Sequence, residues 1–89
     1  MNLEEISQNP ELGWDYRYLS AHDNITIDMI EKYKNIPWDF AYMSRNPNLT
    51  IKFVLKNMDK QWNWYFLSKN KSITEEDKIM HPELPWEKN

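Results

Sequence analysis

An all-α fold, made of short helix-turn-helix repeats of 24 residues stacked as a small α-solenoid, is the architecture this sequence predicts. Three observations predict it. Trp14, Trp38, Trp62 and Trp86 recur at one spacing of 24 residues. Whole columns repeat with them. Counting each Trp as position zero, the sixth position is always serine (Ser20, Ser44, Ser68) and the twelfth always threonine (Thr26, Thr50, Thr74). Within a period, the apolar residues follow helical spacing twice.

The other columns keep the same register. The second position holds Tyr16, Phe40 and Trp64, the fourth Tyr18, Tyr42 and Phe66, and the fifth Leu19, Met43 and Leu67. The eighth holds His22, Asn46 and Asn70, and the eleventh Ile25, Leu49 and Ile73. One domain covering residues 1–89 follows: an N-terminal partial unit 1–13, repeats 14–37, 38–61 and 62–85, and a truncated C-terminal unit 86–89.

The partial unit opens with a helix over roughly Leu3 to Gln8. The middle repeat shows the logic of a full unit. Asn35 or Ile36 caps its first helix, and Pro37 falls in the first turn, where a missing N–H costs nothing. Asp39 adds negative charge near that N-terminus. Trp38 with Tyr42, and Phe40 with Met43, sit at spacings that meet along a helix face. The helix stops near Arg45 and Asn46, because Pro47 pushes its predecessor out of the α region. Asn48 suits a turn and Thr50 the next N-cap. Leu49 and Val54 form a hydrophobic staple around that cap, as Ile25 and Ile30 do around Thr26. Ile51, Val54, Leu55 and Met58 make the apolar stripe of the second helix. In the third repeat the staple pairs Ile73 with Lys78, and Thr74 is followed by the acidic Glu75, Glu76 and Asp77. Such short helices need tertiary packing, and the aromatic columns supply it: Trp14, Trp38, Trp62 and Trp86 are the predicted structural core, a seam along the stack.

The strings Trp38-Asp39-Phe40, Met43-Ser44 and Asn46-Pro47-Asn48-Leu49-Thr50, with Trp62-Asn63-Trp64, Leu67-Ser68 and Asn70, carry a resemblance. They look like the Trp-Asp-Trp, Leu-Ser, Asn-Pro-Asn-Ile-Thr repeats of uncharacterised tandem-repeat proteins of giant DNA viruses of the mimivirus kind. The resemblance covers nearly the whole chain. It departs at Ala21-His22-Asp23, where Asn-Pro is expected, and in the acidic second helix of the third repeat. It implies a viral origin and a helical repeat, and no activity.

Composition narrows the function. Cysteine is absent, which removes disulfides, thiolate metal sites and a cysteine nucleophile. A small chain without disulfides is expected to be intracellular, in host cytoplasm or virion if the viral resemblance holds. No apolar run approaches the roughly 20 residues of a membrane span. His22 and His81 fall in different columns of distant units, so turn or capping roles are expected and no metal site. The repeated serines read as framework residues that bond a carbonyl one turn back or a neighbouring unit's turn. Glu75, Glu76 and Asp77 are consecutive and spread around a helix, which suits helix N-terminal charge rather than one site. No enzyme and no cofactor are predicted.

Charge distribution points to a partner. Residues 1–44 carry three Lys/Arg against eight Asp/Glu, residues 45–71 six against one, and residues 72–89 two against five. Lys52, Lys56 and Lys60 are four apart and predict one stripe on the second helix of the middle repeat. Arg45 and Lys69 share the seventh column, so stacking sets them side by side, and Lys71 lies in the next turn. These six residues are either an ordinary solvated face or a docking site for an acidic partner. The expected function is a non-catalytic protein–protein interaction module. A homodimer pairing an acidic terminus with the basic centre is a second expectation about partners. The alternative function is a nucleic-acid binder that uses the central Lys/Arg stripe, and the net charge of −3 opposes it.

Overall fold

A computed structural model describes residues 2–87; Lys88 and Asn89 of the truncated unit lie outside the described residues. The described residues form helices and connecting turns. Among the described residues seven short helices follow in order: α1 (Leu3–Gln8), α2 (Tyr16–Ala21), α3 (Ile27–Lys32), α4 (Phe40–Met43), α5 (Ile51–Lys56), α6 (Trp64–Lys69) and α7 (Glu75–Met80). No strand occurs among the described residues.

Two capping columns set the helix starts. Thr26, Thr50 and Thr74 cap α3, α5 and α7, each hydroxyl accepting the N–H three residues on. Asn2, one period before Thr26, does the same for α1. Asp15, Asp39 and Asn63 cap α2, α4 and α6. The first helix of each repeat therefore begins two residues after its Trp, later than the sequence suggests. Asp39 is the N-cap itself, and Pro37 and Trp38 precede the helix. Trp38 cannot share a helix face with Tyr42 for that reason. Pro37 instead centres an i→i+2 turn closed by the Trp38 N–H on the Ile36 carbonyl at 2.8 Å. The locked φ of proline suits such a turn. Pro85 repeats it, with the Trp86 N–H on the Leu84 carbonyl at 2.8 Å.

The Trp column holds the ends of the second helices. Asn9, Tyr33, Asn57 and His81 are the C-caps of α1, α3, α5 and α7. The indole five residues later donates Nε1–H to each C-cap carbonyl, at 2.8, 3.1, 2.9 and 2.8 Å in chain order. Helix ends leave carbonyls without internal partners, and the indole supplies one. Trp38 and Trp62 are buried; Trp14 and Trp86 at the ends of the column are half-buried.

The aromatic seam alternates two columns. Trp62 meets Phe40 edge to face with centroids 5.3 Å apart, and Trp86 meets Trp64 in the same way at 5.3 Å. The negative ring face and positive ring edge favour this geometry over parallel stacking. Around the seam the core collects Leu19, Met43 and Leu67, then Ile25, Leu49 and Ile73, then Ile6, Ile30 and Val54. On α5 the buried pair is Phe53 and Val54, while Ile51 and Leu55 are half-buried and Met58 is exposed. The predicted stripe through Met58 fails because α5 ends at Lys56, before that position is reached.

Candidate interaction surface

Successive repeats are joined by polar groups from the constant columns. Each column serine accepts an N–H from the following repeat, and Ser44 and Ser68 also bond a carbonyl one turn back. The Ser44 hydroxyl donates to the Phe40 carbonyl one turn back at 2.9 Å and accepts the Asn63 N–H of the following repeat at 2.9 Å. Ser20 accepts the Asp39 N–H, and Ser68 the Glu87 N–H, both at 2.8 Å. The eighth column reaches the other way. Asn46 Nδ2 donates to the carbonyls of Ser20, His22 and Ile25, and Asn70 Nδ2 to those of Ser44 and Asn46. Their Oδ1 atoms close local turns by accepting the N–H two residues on. His22 Nδ1 performs that turn role in the first repeat, accepting the Asn24 N–H at 3.0 Å. No buried side-chain nitrogen or oxygen lacks a partner among the described residues.

Lys78 makes a contact the sequence did not announce. It occupies the staple position held by Ile30 and Val54 in the earlier repeats. Its Nζ donates to the Ser68 carbonyl at 2.7 Å, the acceptor that column asparagines take at Ser20 and Ser44. A lysine where apolar residues stand was the only sequence signal for it.

Beside the constant columns engaged in the framework, two groups of cationic and aromatic side chains border surface cavities. The first runs along the first helices of the repeats. The Arg17 guanidinium lies 5.8 Å from the Tyr42 ring centre, and that of Arg45 lies 5.2 Å from the Phe66 ring centre. The Tyr42 and Phe66 rings are 6.3 Å apart. Tyr18, exposed, and His22 sit edge to face at 5.4 Å beside them. A cleft of about 560 Å³ lies between Arg17, Tyr18, His22, Tyr42 and Arg45, and a second of about 380 Å³ between Arg45, Phe66, Lys69 and Asn70. Asp15 flanks the first, 3.5 Å from Arg17. Its carboxyl is held below the usual carboxylate range, first by the Tyr18 N–H it accepts and then by Arg17.

The second group lies at the C-terminal ends of the second helices α3 and α5 and in the turns that follow them. Lys34, Lys56 and Lys60 border a pocket of about 390 Å³ whose walls include Ile30, Trp38, Phe40 and Phe53. Lys60 Nζ stands 5.3 Å from the Phe40 ring centre.

Four of the six residues singled out from the sequence divide between two places. Arg45 and Lys69 share one cleft, as their common column implies. Lys56 and Lys60 belong to the other group. Lys52 and Lys71 are exposed and line neither cavity. The expected single stripe of Lys52, Lys56 and Lys60 does not form, because Lys60 lies past the end of α5 in the turn closed on the Asn57 carbonyl. Sequence reasoning missed Arg17 and Lys34, which fall in the acidic first half and not in the basic block. The signal was positional: Arg17 stands one residue before the aromatic fourth column.

Among the described residues no three His, Asp or Glu side chains converge as a metal site would require. No helix of the described residues is long and apolar enough to cross a membrane. Comparison with protein-family models, with curated proteins and with solved structures finds no match.

Proposed function

We propose that the chain is a non-catalytic protein-interaction module, its helical repeats stacked as a small α-solenoid that presents the Arg/aromatic ridge to an acidic segment of another protein. Hydrogen bonds offset by one period, such as Asn46 to His22 and Asn70 to Asn46, support the stacking. So does an elongated body of 40 × 22 × 21 Å. The observation that carries the function is the division of labour between columns. Serine, threonine, asparagine and tryptophan columns are engaged in framework bonds. Arg17, Tyr18, Tyr42, Arg45 and Phe66 form a surface of rings and cations. Guanidinium groups recognise carboxylates with two donors, and rings add apolar area at low entropic cost. Virus-encoded origin and an intracellular setting, in host cytoplasm or virion, accompany this reading on the strength of the repeat resemblance.

A peptide array of graded acidity tests it. Acidic peptides are retained at low salt, and Arg17→Glu with Arg45→Glu abolishes retention while the helical signal stays unchanged. Retention that ignores those substitutions refutes the assignment. A nucleic-acid reading has one observation in its favour: the Tyr42 and Phe66 rings with their flanking arginines resemble a base-stacking platform. Binding of a single-stranded oligonucleotide, with affinity falling steeply as salt rises, selects that reading instead.

A further inference from the structure

The helix α7 has no buried residue. Ile79 and Met80 are 73% and 68% exposed, the largest values among the exposed large apolar side chains. Their repeat positions locate them. Ile79 stands one period and a second period after Leu55 and Glu31, and Met80 one period after Lys56. Glu31 and Lys56 both line the pocket between α3 and α5. The exposed apolar pair and the pocket therefore lie on one face of the array, along the second helices.

The two features complement one another. The pocket offers Trp38, Phe40 and Phe53 as apolar walls and Lys34, Lys56 and Lys60 as cations; Glu31 is the one carboxylate in its lining, and Asp59 stands 3.7 Å from Lys60. The helix α7 offers Ile79 and Met80 together with Glu75, Glu76 and Asp77. Its own cation is already engaged, since Lys78 Nζ bonds the Ser68 carbonyl at 2.7 Å and Glu75 at 3.4 Å. An isologous two-fold contact needs a self-complementary patch on one face, and this face carries both halves.

We propose that two copies of the chain pair antiparallel through this face, α7 of each covering the α3/α5 pocket of the other. The occupant is a second copy, because symmetric pairing fills both pockets and covers both apolar pairs at once. The contact uses the second helices and leaves the Arg17/Arg45 ridge open, so it stands independently of the acidic-partner reading.

Sedimentation equilibrium of the full chain across a concentration series tests the pairing. A dimer is expected at low salt, with a dissociation constant that rises as salt screens the charged rim. Ile79→Ser with Met80→Ser should weaken it at least about tenfold and leave the melting temperature of the monomer in place, since both residues are exposed. Lys56→Glu should weaken it as well, and adding Glu76→Lys should restore part of the loss. Arg45→Glu should leave it unchanged. A chain that stays monomeric at low salt and high concentration overturns the proposal. So does a dimer indifferent to the Ile79 and Met80 substitutions.

Discussion

Replacing Asn46 with alanine removes the side-chain amide that ties the first full repeat to the second. Asn46 is 1% exposed. Its Nδ2 donates to Ser20 O at 3.0 Å, His22 O at 3.2 Å and Ile25 O at 3.1 Å, and its Oδ1 accepts from the Asn48 N–H at 2.8 Å. Two of these partners have a second bond. His22 O keeps the Ile25 N–H, and Ile25 O keeps Asn48 Nδ2. Ser20 O and the Asn48 N–H lose the partner outright. Each polar group left unpaired inside a protein costs about 1–3 kcal/mol, so the substitution costs about 2–6 kcal/mol. A domain of this size has a total stability on the order of 4–13 kcal/mol. Thermal unfolding followed by circular dichroism should therefore show a melting temperature lower by at least about 10 °C. A change within about 3 °C refutes the reasoning and demotes the amide ladder to decoration. Asn46→Asp sharpens the test. It keeps the shape but sets a carboxylate against three carbonyl oxygens, so near neutral pH it should be less stable than the alanine variant. That environment raises the folded-state pKa of the new carboxyl above its unfolded value. Its stability relative to the parent is then best in acid and is lost as pH rises through the folded pKa.

Trp38→Ala removes both a buried ring and the donor to the Tyr33 carbonyl, and should cost about 3–5 kcal/mol, whereas Trp86→Ala at the half-buried end of the column should cost less; denaturant titration of both variants ranks them. Asp15 has a lowered carboxyl pKa, so its contribution to stability is present above the ordinary value of 3.8 and is lost as pH falls through the folded value. Asp15→Asn keeps a capping side chain, as Asn63 shows at the same column, and should flatten the acid limb of a stability-against-pH curve. A limb unchanged in the variant removes Asp15 as a source of acid sensitivity.

Much of this chain is legible without coordinates because its information repeats. A residue type that recurs every 24 positions marks one local role performed several times, and local roles follow from local chemistry. Threonine before a helix is an N-cap whatever surrounds it, and Thr26, Thr50 and Thr74 all cap. A leucine or isoleucine just before that threonine is buried in each repeat, as Ile25, Leu49 and Ile73 are. The helical class, the α1 span and the burial of Trp38 and Trp62 follow at the same level.

The tertiary structure decided whatever depends on a neighbour one period away. Pro37 is compatible with a first helical turn and with an i→i+2 turn, and only the chain path chose the second. The face of α5 that turns inward depends on where α3 lies, so Phe53 entered the core while Met58, beyond the helix end, did not. Lys52, Lys56 and Lys60 share a spacing, but a stripe needs a helix long enough to carry it. Arg17 and Arg45 look unrelated in a charge count. They belong together because each guanidinium lies over an aromatic ring of the following repeat, a proximity that packing sets.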